Sequence, residues 1–328
     1  IMRAVIFGST GNVSKQLATK LAKDGVETVV ITRSANKADE IKAFGAIPAI
    51  GDINDGEFLL NTLKGADSVF VLIPLPLAVA NFVEVINKQM ELIVDVILKS
   101  KVPNVVYLSV IGAHRPGIGG LDFHYYNEQI LKNKLNGVLN SLTIVRPSRF
   151  YTGLLVNLPE IEKGEINSFL DKTKIYSYVS LDDMADIISD IIENPPKRGK
   201  DDETISKTIY VESDRITVPE LTKLYAKVFN KPDLKWNSIS IEKAAEEMAK
   251  FGFNKDTILT IFTSLSPQSH DELHSELYSN RDDVTVIKGK HSLEEYVNQM
   301  KNLKWLLNFF FCNGICLIKY YYPKYNTS

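Results

Sequence analysis

At 328 residues the chain has room for one large α/β unit or two modest domains around a sizeable core. A hydrophobic content of 45% with 24% charged residues is that of an ordinary water-soluble protein, and a net charge of −2 supplies no broad basic field for nucleic acid. The 2 cysteines, Cys312 and Cys316, lie close to the recorded end, which excludes a disulfide scaffold, a thiolate nucleophile and a cysteine zinc site from the body of the chain. No secretory signal precedes the first strand, so the expectation is a cytoplasmic protein without a transmembrane span.

In chain order, the apolar run Ala4, Val5, Ile6, Phe7 stops at Gly8 and Gly11 follows three residues later. From Val13 onward, Leu17, Ala18 and Leu21 fall on one helical face. That pattern predicts a buried strand, a tight glycine turn and a helix start. Glycines suit such a turn because the backbone must pass close to a pyrophosphate, and the helix start offers free N–H groups to it. The spacing is G-x-x-G-x-x-S, with Ser14 where a third glycine is expected; the alternative is a plain strand-to-helix connection.

A second strand over 26–32 ends in Thr32-Arg33, with Lys37 close behind and no acid before Asp39. An NAD site places an acid here for the ribose 2′-OH, whereas a guanidinium suits a 2′-phosphate. The expected cofactor is NADP, with NADPH preferred over NADH; a solvated surface arginine is the alternative. Strand three covers 46–50 and leads to Asp52, which stands either near an adenine or as a turn cap. Asn54 and Glu57 form a capping-box-like helix start. Strand four, 68–73, is broken by Pro74-Leu75-Pro76 at the kind of strand end that borders a ligand crevice. A long helix over 78–99 follows, then strand five at 104–109, a glycine-rich stretch at 116–120 and strand six at 142–146.

This order of pieces resembles the NmrA-like family, a branch of the atypical short-chain dehydrogenase/reductase superfamily. The resemblance rests on GSTGNV at 8–13, TR at 32–33, GDIND at 51–55, ADSVFVLIP at 66–74 and VVYLSVIGA at 105–113. It continues with TIVRPSRFYTGLL at 143–155 and YVSLDDMADI at 178–187. It implies an α/β fold: a Rossmann-type doubly wound parallel sheet over 2–155, with 175–212 returning to it. A smaller C-terminal α-rich substrate lobe would come from 156–174 and 213–302. It also implies cofactor contacts: Gly8, Thr10, Gly11, Asn12 and Val13 at the phosphates, and Arg33 at the 2′-phosphate; Ser9 inside the turn and Lys37 close behind Arg33 join the expected cofactor site. Asp52 and Ile53 would lie near the adenine, Ile73, Pro74 and Leu75 under the ribose, and Phe150, Tyr151, Thr152 and Gly153 beside the nicotinamide end.

The departures from the family bear on catalysis. Tyr125 is followed four residues later by Gln129, and Tyr126 by Ile130, so the Tyr-x-x-x-Lys pair of ordinary short-chain dehydrogenases is absent. Where many members carry a lysine four residues before the glutamate matching Glu128, this chain has His124, as does the similar quinone oxidoreductase type 2 branch. The family's F-x-E-N reads Phe150-Tyr151-Thr152-Gly153, without the asparagine. An ordinary histidine pKa near neutrality makes His124 the first candidate proton donor, with Tyr125 and Tyr126 in reserve. The alternative is a surface histidine at a helix start.

Residues 178–183 running into 184–192 predict a strand and a helix, with Asp182 or Asp183 as N-cap rather than an acid/base pair. A mixed-charge loop spans 194–207, a short strand 208–211, and Thr217 with Glu220 forms a capping box. Helices are expected over 241–250 and 256–265, and the family resemblance implies a final helix over 293–300. His270 and His274 stand four apart, but the glutamate of a zinc-protease motif is misplaced, so no metal is expected. The hydrophobic tail 303–328 is too short in its apolar part to span a membrane. It is an interfacial anchor, a segment packed on the body or a partner, or sequence foreign to the ancestral domain. The function expected is reduction of a small carbonyl or quinone-like substrate by NADPH. The alternative is a non-catalytic NADP(H) redox sensor that binds a regulatory protein partner; direct nucleic-acid binding is not expected.

Overall fold

The computed structural model describes residues 1–75, 82–117, 119–198, 203–250, 253–265 and 285–303. The strands are β1 (Arg3–Ile6), β2 (Glu27–Thr32), β3 (Ile47–Ile50), β4 (Ser68–Val71), β5 (Asn104–Leu108), β6 (Ser141–Pro147), β7 (Arg149–Phe150), β8 (Glu165–Ser168), β9 (Ile175–Val179), β10 (Ile205–Glu212), β11 (Asp214–Thr217), β12 (Lys235–Ser238) and β13 (Thr285–Lys288). Eight of them form one wholly parallel sheet in the order β13-β10-β6-β5-β4-β1-β2-β3. The central strands are apolar on both faces because helices cover both. Val5, Phe7, Val69, Val71, Val105 and Tyr107 share one core with helices α3 (Gly56–Leu63), α4 (Phe82–Ser100) and α5 (Phe123–Leu135). Their neighbours Ala4, Ile6, Phe70, Val106 and Leu108 face α1 (Asn12–Lys23) and α7 (Leu181–Glu193) on the other side. Each buried Val, Leu, Ile or Phe among them stabilises the fold by about 1.5–3 kcal/mol relative to an exposed one.

The remaining helices are α2 (Ala38–Ala43), α6 (Leu158–Lys163), α8 (Val218–Phe229), α9 (Ile241–Ala249), α10 (Lys255–Ser264) and α11 (Leu293–Asn302). A second core of Tyr176, Leu221, Tyr225, Trp236, Val297 and their neighbours lies beneath a three-stranded sheet, β11-β9-β7, and a two-stranded one, β12-β8. The capping box of Thr217 and Glu220 forms as expected at α8, and Ser292 with Glu295 forms another at α11.

Four expectations are corrected. Residues 285–288, assigned to the substrate lobe, return to the main sheet as its eighth strand. Residues 175–179, expected to rejoin the Rossmann unit, form the central strand of the small sheet instead, and the return is made by β10. The cap of α3 is Asp55, which accepts from the N–H groups of Glu57 and Phe58, and not Asn54. An Asx turn at Asp52 carries the chain one residue further before the helix begins. The cap of α7 is Ser180, whose hydroxyl accepts from Asp182 N, so Asp183 lies inside the first turn. Pro76, the start of the expected helix over 78–99, His270, His274 and residues 304–328 lie outside the described residues. Among the described residues no helix is long and apolar enough to cross a membrane. No cluster there combines three groups able to hold a metal.

Candidate functional site

Because the main sheet is wholly parallel, the carboxyl ends of its strands share one edge, and the strand order reverses between β1 and β4. Open α/β sheets place their ligand crevice at such a reversal. Gly8 leaves β1 with φ +104°, a conformation that favours glycine, and a Cβ there would collide with Ser14 Oγ. Ser14 is completely buried and donates to the Phe7 carbonyl at 2.6 Å. A hydroxyl thus ties the strand to the helix where a third glycine was expected. Ser9 is held at φ +56°, and its Oγ donates to Thr32 Oγ1 at 2.9 Å, fastening the turn to the end of β2.

Gly11 is the N-cap of α1, with no side-chain cap and no acidic residue in the first turn. A Cβ on Gly11 would press to 3.0 Å from the Gly8 carbonyl. The first-turn N–H groups therefore remain available and the local field stays positive, a cradle for an anion. Asn12 and Val13 begin the helix inside that cradle, and Thr10 lies half-buried beside it.

Beyond β2, Arg33 is exposed and makes no hydrogen bond or ion pair among the described residues. Lys37 differs: its ammonium pairs with Glu40 at 2.9 Å, and Glu40 also holds Lys15 at 2.9 Å. Asp52 caps the turn through Asn54 N and Nδ2, and its carboxylate remains exposed at the end of β3. Ile53 is half-buried beside it; Ile73 is buried after β4, with Pro74 and Leu75 half-buried. The structure therefore brings the 8–13 turn, Arg33, Asp52 and 73–75 to one edge.

His124 sits in the first turn of α5, half-buried, with its Nδ1 2.8 Å from the hydroxyl of Tyr107 on β5. Asn127 Nδ2 donates to the same hydroxyl at 3.1 Å. The phenol's single proton is then left for His124 Nδ1, and the imidazole carries its N–H on Nε2, an assignment that follows from the hydrogen-bond pattern. The near-neutral pKa expected of His124 does not hold: burial pushes it down to about 3, so the ring is neutral at physiological pH. Burial also pushes the Tyr107 phenol well above its ordinary value. Next to this trio, Glu128 accepts from Ser109 Oγ at 2.6 Å and from Arg146 Nε and Nη2 at 2.9 and 2.5 Å. Tyr125 is half-buried and Tyr126 is 46% exposed, their rings meeting edge to face.

Sequence reasoning missed Tyr107, Asn127, Ser109 and Arg146. A tyrosine inside a strand buried on both faces was the available signal, since its hydroxyl requires a partner. Of the 150–153 stretch, Tyr151 turns into the second core at 1% exposure and hydrogen-bonds Asp214 Oδ2 and the His291 carbonyl. Its backbone is what remains for the crevice, while Phe150 and Thr152 are half-buried and Gly153 is exposed.

A parallel doubly wound sheet with an uncapped glycine turn at its strand-order reversal defines the class: a Rossmann-type α/β protein. The pattern of the NmrA-like family matches residues 2–297, and the chain belongs to that family. No curated protein matches the chain in sequence. Among solved structures it is similar to triphenylmethane reductase of Citrobacter sp. complexed with NADP(H), at TM-score 0.70 and 17% identity over 90% of this chain and 99% of that one. It is also similar to an NADPH-dependent quinone oxidoreductase of Escherichia coli complexed with NADPH, at TM-score 0.67 and 18% identity over 91% and 100%. A nucleoside-diphosphate-sugar epimerase of Staphylococcus aureus matches at TM-score 0.69 and 16% identity over 90% and 100%. At these identities the likeness is one of fold.

Proposed function

We propose that the protein binds NADP(H), prefers NADPH to NADH, and reduces a small carbonyl or quinone-like compound. The observation that carries the reading is the uncapped, acid-free start of α1 behind Gly8 and Gly11, with Arg33, unpaired among the described residues, beyond the next strand. Those residues fit a pyrophosphate and a 2′-phosphate respectively. NADP(H)-bound relatives of the same fold support it. Bound there, NADPH supplies a hydride. Gly8 to Val13 would hold its phosphates, Arg33 its 2′-phosphate, and Asp52 with Ile53 would flank its adenine.

The chain's own contribution to reduction is a hydrogen bond from neutral His124 Nε2 to the carbonyl oxygen, which stabilises the oxyanion left by hydride addition while the proton that completes the alcohol comes from solvent. Tyr107 and Asn127 fix the tautomer, and the low pKa keeps the N–H in place at every physiological pH. A neutral imidazole is a competent electrophile for a carbonyl. The missing Tyr-x-x-x-Lys pair favours a second reading, a non-catalytic NADP(H) sensor with a protein partner. Calorimetric titration with NADPH and NADH, followed by NADPH consumption with a panel of quinones and aldehydes, separates the two. No binding of either dinucleotide overturns both; tight binding without turnover leaves the sensor.

A further inference from the structure

Arg149 opens β7, two residues after β6 ends, and so lies at the same carboxyl edge of the sheet as the glycine turn. Its guanidinium stands over the Tyr176 ring, 5.2 Å from the centroid, and Nη2 donates to the Leu265 carbonyl at 2.8 Å. A guanidinium offers five N–H donors, and that carbonyl takes one. No carboxylate pairs with Arg149 among the described residues, although burial pulls its pKa down. Three residues earlier, Arg146 shows the ordinary solution: Glu128 matches it with two hydrogen bonds, and the Tyr210 hydroxyl accepts a third. A sequestered cation without a counter-ion is costly to the fold, so one kept half-buried and partly open to solvent stands ready for an anion from outside.

The surroundings link this charge to His124. The C-terminal half of α10 meets both segments: its cap Leu265 takes Arg149, while Ser264 Oγ accepts from Leu121 N at 3.0 Å and the Thr260 carbonyl accepts from Gly120 N at 2.9 Å. Leu121 is three residues before His124. On the same helix Phe262 meets Phe169 in a tilted pair, ring centroids 4.8 Å apart and both half-buried, while Tyr176 below the guanidinium is itself buried. A half-buried aromatic pair carried by the helix whose end holds the cation suits a planar molecule with one acidic group.

We propose that Arg149 is an anion-recognising subsite and that the substrate is a small planar carbonyl or quinone-like compound bearing a carboxylate. The carbonyl part rests on the reductase reading; the preference for an acid does not. Calorimetry of the protein loaded with NADP+ tests it without requiring turnover, using 4-formylbenzoate and its methyl ester as probes. The acid is expected to bind at least about tenfold more tightly than the ester, the scale of one charge-assisted hydrogen bond. Arg149→Met is expected to abolish that difference while leaving NADPH affinity unchanged. Arg149→Gln, which keeps a donor for the Leu265 carbonyl, repeats the test if the first variant does not fold. Equal binding of acid and ester by the intact protein overturns the inference, and so does a preference that survives both substitutions. A loss of NADPH affinity with the acid preference intact overturns it as well, because the guanidinium then serves the cofactor. Failure of the protein to bind NADP+ strikes the reductase reading alone, and the acid and ester titrations of the unloaded protein then decide this one.

Discussion

The hydroxyl of Tyr107 lies 2.8 Å from His124 Nδ1 while accepting from Asn127 Nδ2 at 3.1 Å. Tyr107 is completely buried and rooted in β5, so the imidazole is oriented by the sheet itself. A histidine held in this way donates a hydrogen bond as a neutral ring, and its role does not depend on being protonated.

The rate should therefore lack the inflection that an ordinary histidine acid produces. With NADPH and an active quinone or aldehyde, kcat/KM is expected to stay level between pH 5.5 and pH 7.5, without a fall centred near 6.5. His124→Gln should lower kcat by about a hundredfold, within the range of a single positioned donor. Tyr107→Phe should lower it about tenfold and change the tautomer reported by imidazole 15N shifts. Stability provides an independent check. The folded pKa, about 3, lies below the unfolded value of 6.5, so the unfolded chain binds the extra proton between those limits. The native protein accordingly loses stability at this residue as pH falls below 6.5. The melting temperature of His124→Gln should drop less between pH 7 and pH 5 than that of the parent.

Arg33 supplies the second test. An exposed guanidinium with no partner among the described residues contributes little to the fold, so Arg33→Ala should leave the melting temperature unchanged. It should weaken NADPH binding by about ten- to a hundredfold and leave NADH nearly untouched, which titration of both dinucleotides would read. Lys37, already neutralised by Glu40, should matter far less when replaced by alanine.

What the sequence disclosed divides along the range of the forces involved. The glycine turn, α1 and the Arg33 position are local: backbone dihedrals, helical periodicity and one charge lie within a few dozen residues, and each is visible as spelling. The Tyr107–His124–Asn127 trio joins residues 17 and 20 apart through side chains whose meeting depends on how α5 packs on β5. No spacing rule encodes that contact. β13 was missed because its four residues, TVIK, occupy a sheet edge with only their middle pair half-buried, so no apolar run announces a strand. Asp183 was mistaken for a cap because Ser, Asp and Asp stand nearly together at 180–183 and only the geometry of the turn selects among them.

The turn at Gly8 is the most constrained piece of backbone at the site. Gly8→Ala adds a methyl that meets Ser14 Oγ at a φ that already disfavours it, and should destabilise the protein by about 2–4 kcal/mol. Ser14→Ala alone removes the hydrogen bond to the Phe7 carbonyl and should cost about 1–2 kcal/mol. Combined, the two should cost less than their sum, because the second substitution relieves part of the clash created by the first. Urea unfolding of the parent, both single variants and the double variant would measure the coupling.

A last prediction concerns Asp183, which fastens the C-terminal segment to α7. It is 2% exposed and accepts from Ser213 Oγ at 2.5 Å, Lys290 N at 2.8 Å, His291 N at 3.1 Å and the His291 ring at 2.8 Å. A Cβ on Gly289 would collide with its carboxylate, so the segment approaches as close as backbone permits. Burial alone would raise the Asp183 pKa, but those donors outweigh it and hold the carboxyl below its ordinary 3.8. The hydrogen bond to Asp183 in turn lifts His291 above 6.5. The Asp183 contribution is complete above 3.8 and fades as pH falls through the lowered folded value. The His291 contribution is complete below 6.5 and fades as pH rises through the raised one. Their joint effect is therefore greatest between about pH 4 and pH 6.5. The His291 side chain is 44% exposed, so its share is modest and screened by salt. Denaturant unfolding should show His291→Gln more destabilising at pH 5.5 than at pH 8.5. Asp183→Asn should be destabilising at both, by about 2–3 kcal/mol, because the amide cannot accept from every donor that the carboxylate serves. Equal cost of His291→Gln at the two pH values would show that the imidazole is merely a neighbour and that the backbone donors alone secure the segment.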